Sequence, residues 1–120
     1  MHPKIDNARF GSITIDGVIF KHDIIIRLGG EVKKRKKKLS KALYGTSHII
    51  SLAEAQHVYQ EGAKRLIIGT GKFGRVQLSD EAADYLSQRG CQADLWPTAK
   101  VIQVWNKASG DVIGLFHITC

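Results

Sequence analysis

A serine and a histidine stand side by side in a short polar segment, and a second histidine lies near the last residue. Thr46, Ser47 and His48 follow Gly45, and His117 is the fourth residue from the end. A serine nucleophile needs an imidazole within hydrogen-bond reach and a third group that orients it. Because adjacent side chains rarely point at each other, His117 is a better candidate base for Ser47 than His48. The alternative is a loop held by side-chain-to-backbone hydrogen bonds, which we favour.

A glycine-rich segment suggests a second kind of chemistry. Residues 69–74 read Gly-Thr-Gly-Lys-Phe-Gly, which fits the G-x-G-x-x-G pattern of dinucleotide-binding loops. Such loops bring backbone N–H groups to a phosphate at a helix N-terminus. Here the next helix is predicted only from Asp80, and its acidic first residues would repel a phosphate. We therefore favour a tight turn that uses the backbone freedom of Gly69 and Gly71, and we predict no cofactor.

The net charge of +7 originates in one segment. Eight of the 18 basic residues, but only one of the 11 acidic residues, lie between Arg27 and Lys41. Through counterion release, this basic segment predicts an anionic partner, for example a nucleic acid. The alternative is a solvent-facing edge strand whose lysines prevent aggregation. The candidate anion-binding residues are Lys33, Lys34, Arg35, Lys36, Lys37 and Lys38.

Two cysteines, Cys91 and Cys120, are too few for a disulfide framework. They form no Cys-x-x-Cys motif and no Cys/His pair at zinc spacing, so we predict no metal site. A reducing cytoplasm suits them. The α-carboxylate beside the Cys120 sulfur would raise the pKa of this thiol, which favours a packing role over a nucleophilic one.

The first part of the chain is predicted to be an antiparallel β-meander over residues 1–38. Alternating residues 9–15 read as a strand, Asp16-Gly17 as a hairpin turn, and residues 18–28 as the returning strand. Residues 31–36 would form a third strand.

From residue 45 onwards the pattern alternates between strands and helices. Ser51 and Glu54 form a capping box at the start of a helix, and Ser79 caps a second one. This alternation predicts an α/β fold with a mostly parallel sheet and helices against it, the meander lying on or beside it. The predicted helices are 51–61, 80–89 and 97–107, and the predicted strands are 65–68, 91–96 and 112–118.

The carboxyl ends of parallel strands meet at one edge of a sheet, which we call the loop edge. The glycine loop and the Pro97-Thr98 turn both leave predicted strands at this edge, and His117 joins them if the last strand is parallel. This convergence predicts a ligand site. Its candidate residues are Thr46, Ser47, His48, Gly69, Thr70, Gly71, Thr98, Asn106 and His117.

Length and composition limit the classes of protein that the chain can be. With 120 residues, 43% apolar and 24% charged, it predicts one folded domain over residues 1–120 and not a disordered segment. No apolar run approaches the ~20 residues of a membrane helix, and the first residues do not resemble a signal peptide. We therefore expect a cytoplasmic protein.

Several motifs are spread over most of the chain: Phe10-Gly11, Gly17, Asp23-Ile24, Gly45–His48, Gly69–Gly71, Pro97-Thr98, Asn106 and His117-x-Thr119-Cys120. They resemble those of the adipogenesis-associated Mth-domain family; a mitochondrial complex I assembly factor has a related domain. The basic segment before Gly-Thr-Ser-His resembles the archaeal members most. The resemblance implies a three-layer fold with the meander beside the α/β unit, and no established enzyme activity or catalytic residues.

Three functional hypotheses remain open. The first is a non-catalytic domain that binds a small ligand or a protein partner at the loop edge. The second is a hydrolase or transferase in which Ser47 is the nucleophile and His48 or His117 the base. The third is anion or nucleic-acid binding through the basic segment.

Overall fold

The computed structural model describes residues 2–120 and contains an α/β fold. Within these residues the chain forms ten strands and four helices. The strands are β1 (Ile5–Arg9), β2 (Ser12–Ile15), β3 (Val18–Phe20), β4 (Ile24–Ile26), β5 (Val32–Lys34), β6 (Ile49–Ile50), β7 (Arg65–Thr70), β8 (Gln77–Leu78), β9 (Gln92–Trp96) and β10 (Val112–His117). The helices are α1 (Lys38–Tyr44), α2 (Leu52–Val58), α3 (Asp80–Gln88) and α4 (Thr98–Lys107).

The central sheet has five strands in the order β5-β4-β10-β7-β9. Strand β7 lies parallel to both β10 and β9, whereas β4 runs antiparallel to β10, and β5 antiparallel to β4. The last strand is therefore parallel to β7, as the predicted loop edge requires. The predicted fold class, with its mostly parallel α/β unit, is confirmed.

The structure divides the predicted meander between two sheets. Only β1, β2 and β3 form a separate antiparallel sheet, while β4 and β5 belong to the central sheet. The prediction of one strand over residues 18–28 was wrong, because the chain leaves the first sheet between Phe20 and Ile24. Asp23 lies at this break, and its carboxylate bonds to groups outside the strand.

Apolar side chains on the two faces of the central sheet build two cores. Ile24, Ile67 and Phe116 pack in one core with residues of β1 and β2 and with Trp105 of α4. Ile25, Ile68 and Leu115 are in the other, with residues of α2 and α3. Because neighbouring strand residues point to opposite faces, the chain forms the three layers that the resemblance implied.

Local capping signals fix the starts of two helices as predicted. The Ser51 hydroxyl accepts a hydrogen bond from the Glu54 backbone N–H at 3.1 Å, and Ser79 does the same for Ala82 at 3.1 Å. The Glu54 carboxylate, however, does not return to the Ser51 backbone as a capping box would predict; the Ser40 hydroxyl takes that N–H at 3.0 Å. The structure leaves this carboxylate free for a partner elsewhere.

Two features of the structure were absent from the predicted order of elements. Helix α1 starts at Lys38, the last residue of the basic run, and ends at Tyr44; Gly45 follows it with a left-handed φ of 70°. Strands β6 and β8 pair in parallel, so the glycine loop leads into a short strand before α3. Within residues 2–120, no helix is both long and apolar enough to cross a membrane.

Candidate functional site

The register of the central sheet brings the ends of three strands to the loop edge. His117, the last residue of β10, lies opposite Thr70, the last residue of β7. Gly69 of β7 in turn lies opposite Trp96, the last residue of β9. The loops that follow these strands therefore leave the sheet side by side.

At this edge, His117 is held by a buried carboxylate. Its Nδ1 lies 2.7 Å from Oδ2 of Asp23, and the other Asp23 oxygen accepts the Ile118 backbone N–H at 3.0 Å. The exposed fraction is 4% for His117 and 1% for Asp23. Burial alone would raise the pKa of Asp23, but the hydrogen bonds from His117 and Ile118 and the charges of His117 and Arg35 lower it to about 2. Asp23 is therefore ionised at neutral pH.

The ionised Asp23 carboxylate determines which ring nitrogen of His117 carries a proton. A carboxylate only accepts hydrogen bonds, so Nδ1 is the donor. In the neutral imidazole, Nε2 is then left with its lone pair. The Thr119 hydroxyl oxygen lies 3.3 Å from this Nε2. The site thus contains a carboxylate, an imidazole and a hydroxyl in a row.

Arg35, predicted to bind an external anion, is an internal residue that joins three segments. Its guanidinium donates to Asp23 at 2.9 Å and to both Glu54 oxygens at 2.6 and 3.0 Å. It also donates to the Ser47 carbonyl at 2.8 Å, and the Ser40 hydroxyl donates to Glu54. With 3% of its surface exposed, Arg35 cannot reach an outside ligand. It positions Asp23 and the Ser47 loop.

His48 covers one side of His117. The two rings meet edge to face with centroids 5.3 Å apart, and the Gln77 backbone N–H donates to the His48 carbonyl at 2.8 Å. Burial, followed by His117 in its protonated form and the positive charges of Arg75, Arg35 and Lys37, lowers the pKa of His48. The neutral form of His48 is thus favoured, in a surrounding of positive potential.

In the same loop, the Thr46 side chain stabilises the backbone. The Thr46 hydroxyl accepts the His48 N–H at 3.1 Å, and Ser47 is buried. Among residues 2–120, no hydrogen bond joins the Ser47 hydroxyl to an imidazole. The loop thus has the side-chain-to-backbone bond that the alternative interpretation of the motif predicted.

The glycine loop fits closely against the end of the chain. Gly71 has a φ of +92°, and a Cβ there would lie 2.8 Å from Cδ2 of His117 and 2.6 Å from the Thr119 carbonyl oxygen. The Lys72 backbone N–H donates to this same carbonyl at 2.9 Å. Gly71 is required because the His117–Thr119 segment occupies the space of a side chain.

Thr98 and Asn106, two of the predicted ligand residues, lie near opposite ends of α4. Thr98 begins α4, where its N–H donates to the Gly71 carbonyl at 3.1 Å, and it lines a cavity of about 280 Å³ with Lys72 and Ile118. Asn106 lies near the far end of α4, about 12 Å from Thr98 by the helical rise. Its amide bonds to both backbone groups of Ile5 at 2.9 Å. The structure therefore separates Asn106 from the loop edge.

The basic segment is connected to the site through Lys37. The Lys37 ammonium lies 3.6 Å from Asp23 Oδ2, the oxygen that also bonds to His117. Lys33, Lys34, Lys36 and Lys38 are exposed, and residues 34–38 line a cavity of about 590 Å³. The basic segment and the loop edge, which were predicted as two separate candidate sites, are thus neighbours.

Three residues of the site were not among the sequence candidates: Asp23, Glu54 and Thr119. Asp23 had a signal, since it is one acid within a β-branched run. Glu54 was interpreted as a helix-capping residue, and nothing local distinguishes a capping carboxylate from a buried ion pair. Within residues 2–120, no group of three or more His, Cys, Asp or Glu residues could hold a metal ion.

Comparisons with known proteins agree with this architecture. The conserved hypothetical protein PH1505 from Pyrococcus horikoshii OT3 is 30% identical, with a TM-score of 0.90 over 98% of this chain and 99% of that one. A structure named MT938 is 29% identical, with a TM-score of 0.83 over 98% and 99% of the two chains. A Mth938-like domain from Bordetella pertussis shares the fold at 16% identity, with a TM-score of 0.63 over 97% of this chain and 85% of that one.

No curated protein matches the chain significantly. A family model described as a protein of unknown function, DUF498/DUF598, matches residues 5–116. Together with the Mth938-like structures, this match confirms the resemblance to the Mth-domain family. The chain belongs to the DUF498/DUF598 family of proteins of unknown function.

Proposed function

We propose that the protein binds a small anionic ligand at the loop edge of its central sheet, against His48 and His117. One observation carries the proposal: the rings of His48 and His117 meet at the loop edge with centroids 5.3 Å apart, and the Lys37 ammonium lies 3.6 Å from the Asp23 oxygen that bonds to His117. Lys37 is half-exposed and can meet a ligand from solvent, and Arg75, whose positive charge also acts on His48, is exposed. A small anion that enters this region gains charge-assisted hydrogen bonds.

The chemistry of the loop edge supports binding more than catalysis by Ser47. The Ser47 hydroxyl has no imidazole partner among residues 2–120, whereas its carbonyl is held by Arg35. A nucleophile–base pair requires the hydroxyl at hydrogen-bond distance from the ring nitrogen. We therefore propose no role for Ser47 as a nucleophile; a protein partner that presents a carboxylate would use the same cationic groups.

A titration with inorganic phosphate tests the proposal. We expect phosphate to shift the NMR signals of the His48 and His117 rings in a saturable way. Arg75→Gln should weaken binding several-fold by removing one ionic partner. The matched control is Arg89→Gln, because Arg89 lies between α3 and the start of β9, at the opposite edge of the sheet. Equal weakening by both changes, or no shift at either histidine, would refute the proposal.

A second candidate function is binding of a nucleic acid by the exposed lysines of the basic segment. The exposure of Lys33, Lys34, Lys36 and Lys38, four cations within six residues, favours it. For a fluorescent duplex DNA, the logarithm of the binding constant should fall linearly with the logarithm of the salt concentration. Changing Lys34, Lys36 and Lys38 to Glu should abolish it, while the same change at Lys100 and Lys107 of α4 should not. Salt-independent binding would contradict this function.

A further inference from the structure

We propose that Thr119 is an acyl acceptor whose hydroxyl, deprotonated by His117, takes an acyl group from an activated ester and passes it to water. This inference goes beyond anion binding and does not depend on it. It assigns a reaction to the row of Asp23, His117 and Thr119, in which His117 acts on Thr119 and not on Ser47.

The geometry follows the order of a nucleophile, its base and the group that orients the base. Asp23 Oδ2 is 2.7 Å from His117 Nδ1, and His117 Nε2 is 3.3 Å from Thr119 Oγ1. The second distance is somewhat longer than in a tight hydrogen bond, as such pairs often are without a substrate. The two bonds leave from opposite nitrogens of one ring, so a proton taken at Nε2 is stabilised by the carboxylate at Nδ1.

The three groups differ in burial as this chemistry requires. Asp23 and His117 are almost completely buried, whereas Thr119 is half-exposed. An ester can therefore reach the hydroxyl from solvent while the base is shielded. The ionised carboxylate keeps the Nδ1 proton in place, which leaves Nε2 able to accept the hydroxyl proton.

Surrounding contacts hold the row in position. Arg35 and the Ile118 backbone N–H fix the two Asp23 oxygens at 2.9 and 3.0 Å. The Lys72 N–H holds the Thr119 carbonyl, and Gly71 packs against the His117 ring. Such support reduces the reorganisation needed when a substrate arrives.

The reaction balances without an oxidant or a cofactor. Thr119 Oγ1 attacks the carbonyl carbon of the ester, a bond forms between them, and the hydroxyl proton moves to His117 Nε2. The bond from that carbon to the leaving oxygen then breaks, and Nε2 returns the proton to this oxygen. Water next attacks the acyl-threonine and gives its proton to Nε2, which passes it to Thr119 Oγ1 as the carboxylic acid leaves.

The test uses the full chain and p-nitrophenyl acetate. We expect a burst of p-nitrophenolate and an acetyl group on Thr119, located by peptide mass spectrometry. Hydroxylamine should remove this acetyl, because it cleaves esters but not the amides that acetylated lysines form. Acetylation confined to lysines, with none on Thr119, would overturn the proposal without needing any variant.

Variants separate the hydroxyl from the fold around it. Thr119→Val keeps the side-chain shape and should lower hydroxylamine-sensitive acetylation on the order of 10²-fold. Thr119→Ser restores a hydroxyl and should retain the reaction. Thr14→Val, in β2 of the other sheet, is the matched control and should react like the wild type. Undiminished ester formation in the folded Thr119→Val protein would also overturn the proposal.

Discussion

At the scale of single residues, Asp23 is the residue on which the site depends. Its carboxylate receives His117, Arg35 and the Ile118 backbone N–H, and the Lys37 ammonium lies close by. A buried charge is tolerated only where such partners compensate for the lost water. Asp23 therefore links the end of β10 to the basic segment, two regions that are far apart in the sequence.

The lowered pKa of Asp23 predicts how stability changes in acid. A carboxylate whose pKa is lower in the folded state stabilises the fold above its unfolded value of 3.8, and this contribution is lost as the pH falls towards about 2. The shift corresponds to about 2 kcal/mol. We expect the free energy of unfolding, measured with urea, to fall between pH 4 and 2.

Asp23→Asn isolates this contribution from those of the other acids. The variant should be less stable at pH 7, because Arg35 loses a charged partner, and it should lose less stability than the wild type between pH 4 and 2. Parallel curves for the two proteins over that range would show that Asp23 is not the group responsible.

His48 gives a prediction that links charge to binding. Because burial and positive neighbours lower its pKa, an NMR titration of the His48 ring should have a midpoint below the ordinary value of 6.5. A bound anion offsets the positive charges, so phosphate should raise this midpoint. The NMR signals of the His2 ring, which stacks on Trp105 near the far end of α4, should not change when phosphate is added. A His48 midpoint unaffected by saturating phosphate would contradict binding at this position.

At the scale of elements, local signals were predictable and long-range partners were not. Ser51 and Ser79 cap helices three residues ahead, so their role is contained in short sequence windows. Arg35 stands in a run of lysines and resembles a surface residue until Glu54, 19 positions later, is brought to it. The role of Asp23 was hidden for the same reason, since its partner His117 is 94 positions away.

The convergence of strand ends at the loop edge could be predicted in part. The alternation of strands and helices predicted that the glycine loop and the Pro97-Thr98 turn leave the sheet at this edge. It placed His117 there only if the last strand was parallel, which the pairing of β10 with β7 now shows. The missed helix α1 shows the limit, because its seven residues are too few to establish a helical period in the sequence.

The glycine loop predicts a packing effect of one methyl group. Gly71→Ala should destabilise the protein by about 1–2 kcal/mol through its positive φ and by about 1–3 kcal/mol more through overpacking. Gly110→Ala is the matched control, since its φ of +87° is similar and nothing lies within 4 Å of the added Cβ. Thermal or urea unfolding measures both. If both variants lost the same free energy of unfolding, the His117–Thr119 segment would have moved to accommodate the methyl group without destabilising the protein.

At the scale of the whole molecule, the separate sheet of β1, β2 and β3 is joined to the rest through α4. The Trp105 indole N–H donates to the Pro3 carbonyl at 2.8 Å, and the His2 ring stacks on Trp105 with centroids 4.3 Å apart. The amide of Asn106 completes the contact by bonding to the N–H and the carbonyl of Ile5. These bonds complete the layer over one face of the central sheet.

This arrangement predicts that Asn106 acts on stability and leaves ligand binding unaffected. Asn106→Ala leaves both backbone groups of the buried Ile5 without their partner, so the free energy of unfolding should fall by about 2 kcal/mol. Lys107→Ala, on the same helix and exposed, should change it little. Phosphate affinity, measured at a temperature where both variants are folded, should equal that of the wild type, because Asn106 lies at the far end of α4 from the loop edge. A loss of phosphate binding without a loss of stability would show that Asn106 contributes to the phosphate site, contrary to its position in the structure.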